Sequence, residues 1–139
     1  MLKIEHIGIA IQPNQENIEI FNKLLSQTPY KAEIVESEGV KTTFFQVGES
    51  KIELLEATQS QSPIAKFLEK RGGGIHHIAL EVDSLEQEIQ RLQSLGFELI
   101  NPEPKKGADN KLIVFLHPKS TANVLVELCQ STTPLENKK

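Results

Sequence analysis

The chain repeats itself, and a repeat is the feature that most restricts what it can fold into. The N-terminal stretch Ile4-Glu5-His6-Ile7-Gly8-Ile9-Ala10-Ile11 is echoed by Gly74-Ile75-His76-His77-Ile78-Ala79-Leu80-Glu81-Val82, with His77 where His6 stands and aliphatic residues at matching alternate positions. A second matched pair, Lys51-Ile52-Glu53-Leu54-Leu55 and Leu125-Val126-Glu127-Leu128-Cys129, follows each histidine stretch at a similar interval. The order along the chain is therefore His, Glu, His, Glu. Each copy must build the same supersecondary unit, and each supplies one imidazole and one carboxylate. Nitrogen and oxygen donors of this kind suit a divalent first-row ion. Two carboxylates buried side by side without a cation would be heavily penalised, which points the same way.

Each copy reads as βαβββ. Residues 2 to 11 alternate, with Ile7, Ile9 and Ile11 on one face and His6, Gly8 and Ala10 on the other, the period of a strand. Pro13 and Asn14 end it, and Ile18, Phe21, Leu24 and Leu25 recur at helical spacing as far as Gln27, so this helix should cover the Ile7/Ile9 face. Extended segments are expected near 30 to 36, 40 to 47 and 51 to 56, separated by turns at Glu38-Gly39 and Gly48-Glu49-Ser50. Ser62-Pro63 has the form of an N-cap followed by proline at the first helical position. It opens a connector helix with Ile64, Phe67 and Leu68 as its apolar stripe, ending at Gly72. The second copy runs from a strand at 75 to 82 into a helix capped by Ser84 and Gln87, carrying Leu85, Ile89, Leu92 and Leu95 and ending at Gly96. Strands near 97 to 101, 111 to 117 and 123 to 129 complete it, and residues 131 to 139 read as a flexible tail.

The expected fold class is thus α+β. Duplicated βαβββ modules, about 2 to 56 and 75 to 129, make one domain over residues 1 to 130 with a helical connector at 62 to 72. Each four-stranded sheet would carry a helix on one face only and need a partner for the other. A cupped mixed sheet with His6 and His77 facing inward satisfies both modules. The orientation of Glu53 and Glu127 follows only from their equivalence in the repeat.

At 139 residues with a net charge of −4, the chain has room for a sizeable core and no broad basic surface for nucleic acid. The lone cysteine, Cys129, excludes an internal disulfide and a cysteine-based zinc cluster. No segment has the length of a membrane span or the apolar run of a signal peptide, so the expected location is the cytoplasm. His76 alternates to the face opposite His77 and reads as structural. His117 before Pro118 reads as a turn residue, with lining of the site as the alternative, and Lys105, Lys106 and Lys111 as a solvated loop that could also attract a ligand's phosphates. Lys119 and Ser120 fit either a solvated turn or a place for a substrate carboxylate or phosphate.

Taken together, these residues resemble the glyoxalase or vicinal oxygen chelate superfamily, and within it the methylmalonyl-CoA epimerases. The resemblance covers residues 2 to 130 and rests on Glu5-His6-Ile7-Gly8-Ile9-Ala10, Ile52-Glu53-Leu54-Leu55-Glu56, Ser62-Pro63-Ile64-Ala65-Lys66-Phe67-Leu68, Gly74-Ile75-His76-His77-Ile78-Ala79, Phe115-Leu116-His117-Pro118-Lys119-Ser120 and Leu125-Val126-Glu127-Leu128. It implies a divalent ion (cobalt, manganese or zinc) held by His6, His77 and Glu127. Glu53 takes the fourth position as a ligand, a proton-transfer group or both. It further implies an acyl-CoA substrate inverted at the carbon between carboxylate and thioester, Glu53 and Glu127 as the catalytic carboxylates, and a homodimer. Two departures stand out: Thr42 where some members carry a glutamate, and Leu112 where some carry an arginine. The same ligand plan would serve a glyoxalase I-type lactoylglutathione lyase. A non-enzymatic binding protein of the same fold has no need of four aligned ligands, and an extradiol dioxygenase would leave open the position that Glu53 fills.

Overall fold

The computed structural model describes residues 1–101 and 103–132. The chain divides into two compact units. The first is His6–His77, and the second joins Met1–Glu5 to the chain from Ile78 onward. Strand β1 (Lys3–Ala10) and strand β5 (Gly74–Glu81) each contribute residues to both units.

In the first unit, β1 is followed by α1 (Gln15–Leu25), β2 (Lys31–Val35), β3 (Val40–Val47), β4 (Ser50–Ala57) and α2 (Pro63–Arg71). The strand order is β2-β3-β4-β1, with β1 parallel to β4 and the other pairs antiparallel. Asn14 caps α1, its side chain accepting from the Asn17 amide, and Ser26 closes the helix in the left-handed region at φ 56°. Ile18, Phe21 and Leu25 pack on Ile9, Ile11, Ile52, Phe45 and Leu54, so α1 covers the expected sheet face. Leu24, expected in that stripe, is exposed, because the stripe is narrower than the run of apolar residues. Ile7 is only half-buried.

The connector helix forms as its caps dictate. The Ser62 hydroxyl accepts from the Ala65 amide, Pro63 takes the first position where no amide is needed, and Gly72 ends the helix at φ 77°. Its Ile64 and Leu68 bury against Ala10, Val40 and Leu55, the residues that share a sheet face with His6 and Glu53. The expectation of a helix on one face only is therefore corrected for this unit: α1 covers one face and α2 covers part of the other.

In the second unit, β5 leads through α3 (Leu85–Ser94) to β6 (Lys105–Lys106), β7 (Lys111–Leu116) and β8 (Val126–Ser131), in the order β5-β8-β7-β6. β5 and β8 are parallel, and β8/β7 and β7/β6 are antiparallel. Ser84 caps α3, accepting from the Gln87 amide. Leu85 and Leu92 pack with Val82, Val114, Leu116 and Leu128, while Leu95, expected in that stripe, is exposed.

Three strand boundaries differ from expectation. The stretch 97 to 101 is not a strand; Leu99 makes only an isolated bridge to Leu116, ahead of the prolines at 102 and 104, which have no amide to donate. Residues 121 to 124 form a turn, with Ala122 and Asn123 at positive φ and the Thr121 hydroxyl donating to the Val124 carbonyl, so β8 begins at Val126. Ser131 belongs to β8, and residues 133–139 of the expected tail lie outside the described residues. Among the described residues no helix is long and apolar enough to cross a membrane.

Because the Ser62 hydroxyl satisfies an orphan amide of α2, Ser62→Ala should cost about 1 kcal/mol in denaturant unfolding. Ser62→Thr, which keeps the acceptor, should recover most of it.

Candidate metal centre

The two parallel strand pairs place the glutamates. Gly8, two residues after His6, stands opposite Glu53, and Ala79, two residues after His77, stands opposite Glu127. The repeat seen in sequence is thus a repeat in register. Strand partners share a face, so Glu53 lies on the His6 and Gly8 face of the first unit, away from α1. Glu127 lies on the Ala79 face of the second unit, away from α3. His6, Glu53, His77 and Glu127 are all buried.

Within the first unit the imidazoles are organised in detail. His6 Nε2 and His77 Nε2 face each other at 2.9 Å, with the rings nearly perpendicular. The Glu53 carboxylate is 3.1 Å from His6 Nδ1, and His76 Nδ1 is 3.0 Å from His77 Nδ1. A carboxylate on Nδ1 favours the proton there and leaves the lone pair on Nε2. The two facing nitrogens, 2.9 Å apart, would hold a first-row divalent cation, for which imidazole and carboxylate donors are suited.

Close approach of His77 to β1 depends on Gly8. A Cβ there would lie 2.4 Å from His77 Cε1 and 2.7 Å from its Nδ1, inside van der Waals contact. Small residues beside His6 were visible in the sequence, but the reason for one of them is this distant ring. Thr42, at the position where a carboxylate was absent, is buried opposite Leu55 on the Glu53 face. Glu36 lies exposed on the 3-10 turn Glu36–Glu38, which Gly39 closes at φ 65°.

The second unit buries its own charges. Lys111, read as part of a solvated loop, is instead on β7. Its ammonium is 3.9 Å from Glu5 and 3.8 Å from Glu81, with its side chain only 13% exposed. Glu5, 2% exposed, would be costly to bury as an anion without that cation. Lys105 and Lys106 form the short β6 and are not in a loop. Cys129 is a buried core residue beside Ala79 and Ile113, and its burial pushes the thiol far above its ordinary range, so it is no nucleophile.

His76, expected on the face opposite His77, turns instead toward α2 and meets Phe67 edge-on, with ring centroids 5.0 Å apart. It also touches His77, which alternation alone had not suggested. His117 is the expected turn residue, its Nδ1 accepting from the Lys119 amide. Lys119 pairs with Glu98 at 3.2 Å, and the Ser120 hydroxyl accepts from the Glu98 amide at 2.9 Å. The structure gives both candidate substrate contacts a role in holding that surface turn.

Since the Gly8 constraint acts through one ring, Gly8→Ala should cost about 1–3 kcal/mol in wild type by overpacking and close to nothing in a His77→Ala background. A double-mutant cycle measured by denaturant unfolding checks this.

Comparison with known proteins then places the chain. Residues 5–115 match the model of the Glyoxalase/Bleomycin resistance protein/Dioxygenase superfamily. A mitochondrial methylmalonyl-CoA epimerase of Dictyostelium discoideum is 40% identical over 127 residues, covering 91% of this chain and 76% of that one. A hypothetical protein of Bacillus halodurans C-125 superposes with a TM-score of 0.90 at 44% identity, over 95% of this chain and 96% of that one. A variant of the Streptomyces coelicolor methylmalonyl-CoA epimerase, solved in complex with 2-nitronate-propionyl-CoA, gives a TM-score of 0.90 at 30% identity, over 96% of each chain. The chain, with its α+β fold of two βαβββ modules, belongs to the glyoxalase superfamily and is related within it to the methylmalonyl-CoA epimerases.

Proposed function

We propose that this protein is a methylmalonyl-CoA epimerase, interconverting the (R) and (S) forms by removing and returning a proton at C2. The observation that carries the reading is the facing His6 and His77 Nε2 pair, with a buried glutamate on His6, in a chain 40% identical to such an epimerase. His6, His77 and Glu127 are the proposed ligands of one divalent ion, cobalt, manganese or zinc. When bound, the ion supplies Lewis-acid stabilisation of negative charge developing on the substrate's oxygens.

The remaining chemistry falls to side chains. The C2–H bond lies between a carboxylate and a thioester carbonyl, so its electron pair can move onto the thioester oxygen as the proton leaves. Glu53 is the proposed carrier of that proton. Its Oε2 is held by His6 Nδ1, which fixes the carboxylate's direction, and its burial keeps bulk water from competing for the proton. The His6 contact also supports a proton-transfer role for Glu53 over a role as fourth ligand, because the carboxylate sits on the ring nitrogen away from His77. Return of a proton on the opposite face needs a second carrier, and Glu127 is proposed for it through its second carboxylate oxygen. Lys119 and Ser120 remain the proposed contacts for a substrate carboxylate or phosphate: the Lys119–Glu98 pair joins two exposed side chains, so it is weak, and the Ser120 hydroxyl, which accepts from the Glu98 amide, keeps its own proton to donate.

Incubation of one methylmalonyl-CoA epimer with metal-loaded protein in deuterated water should give the other epimer with deuterium at C2. Absence of exchange and inversion would refute the reading, and turnover of a glutathione hemithioacetal in their place would make the protein a lyase. Chelation should abolish the activity and lower the melting temperature. Restoring Co²⁺ to about a hundredfold over its dissociation constant should return about 2.7 kcal/mol of stability. Glu53→Gln should retain the metal and lose about two to four powers of ten in turnover. Near-normal epimerisation by that variant would remove Glu53 from the proton path.

A further inference from the structure

We infer that His76 is a positioning residue that sets the tautomer and orientation of His77 and thereby the metal affinity of the site. The inference rests on the proposed metal role of His77. The His77 ring has both nitrogens engaged: Nε2 faces His6 Nε2 at 2.9 Å, and Nδ1 faces His76 Nδ1 at 3.0 Å. A neutral imidazole carries one N–H and one lone pair. If Nε2 is to give its lone pair to a cation, the proton must sit on Nδ1, and a proton there is stabilised by an acceptor. The lone pair of His76 Nδ1 is that acceptor. His6 is served in the same way by the Glu53 carboxylate on its own Nδ1, so each metal-facing imidazole has its other nitrogen occupied.

His76 is itself held in place. Its ring meets His77 nearly perpendicularly, with centroids 5.2 Å apart, and meets Phe67 of α2 at 81° and 5.0 Å. Phe67 belongs to the helix whose Ile64 and Leu68 are fixed in the core against Leu55 and Ala10. Packing of the connector helix is thus transmitted through Phe67 and His76 to the ring that faces the cation. The two rings differ in one respect. A carboxylate on His6 raises the basicity of that ligand, whereas a neutral imidazole on His77 fixes the proton without adding charge. The first unit thereby presents two nitrogen donors of different strength.

The test uses Co²⁺ alone, titrated into chelator-treated full-length protein and followed by its visible absorption, with affinity set by competition against a chelator. His76→Phe keeps an aromatic edge beside Phe67 and removes the acceptor, whereas His76→Asn places an acceptor oxygen close to the position of Nδ1. His76→Phe should bind Co²⁺ about 10- to 100-fold more weakly than wild type, with an altered absorption band. His76→Asn should stay within about threefold of wild type. Circular dichroism of the metal-free variants checks folding, and His76→Leu serves for the same comparison if the Phe variant does not fold. Equal affinity in wild type and His76→Phe would overturn the inference and leave the metal reading standing. Equal weakening in His76→Asn and His76→Phe would also overturn it, by assigning the effect to packing. Wild-type protein that binds no Co²⁺ would overturn the metal reading and this inference together.

Discussion

Burial of ionisable side chains is the constraint on which the rest of the structure depends. Glu5, His6, Glu53, His77 and Glu127 are each no more than 6% exposed, in a chain whose core is mostly aliphatic and aromatic but also buries Thr42, Thr43, Glu56 and Ser62. A carboxylate in such a place costs several kcal/mol unless it is paired and hydrogen-bonded. The first unit meets this by joining Glu53 to His6 and His6 to His77. The second sets Lys111 between Glu5 and Glu81. The two solutions differ in kind: a lysine ammonium is a fixed point charge, whereas imidazole nitrogens can exchange a proton for a metal ion.

Parallel pairing supplies the positions. A parallel partner requires a crossover through other elements, and the stretches between β1 and β4 and between β5 and β8 each contain a helix and further strands. The benefit to the site is a register in which each glutamate stands opposite a small residue, Glu53 opposite Gly8 and Glu127 opposite Ala79. A large side chain at either place would fill the space that the glutamate and its neighbours use. At Gly8 the requirement is steric, since even a methyl group would meet the His77 ring and force it to shift. Glycine is there for room beside the backbone and not for an unusual φ.

The connector helix links packing to the site. Ser62, Pro63 and Gly72 give it a defined start and stop, so its length and the phase of its side chains are set locally. That phase turns Ile64 and Leu68 into the core and brings Phe67 to His76. Helix packing and ring orientation are in this way parts of one arrangement, and a change in either is felt by the other.

What the sequence determined by itself was local or periodic. Alternation in 3 to 10 and 74 to 81, the Ser62-Pro63 and Ser84 caps, and the matched His and Glu strands were legible because backbone preference and side-chain period act over a few residues. The repeat carried the argument further, from local pattern to a shared fold and a common set of donors. Elements without a local signature were misplaced. The strand expected at 97 to 101 shrank to a bridge between Leu99 and Leu116, a two-residue strand formed at 105 to 106 where a loop was expected, and Leu24 and Leu95 fell outside their stripes because only packing decides the edge of a buried face. Lys111 looked solvated because nothing near it in the chain reveals Glu5 more than a hundred residues away. The contact of His6 and His77 spans 71 residues, and the choice of which nitrogen faces which partner depends on Gly8, Glu53, His76 and Phe67 together. Sequence supplied the donors; the tertiary structure decided their direction, because orientation is set by contacts between residues that the chain keeps far apart.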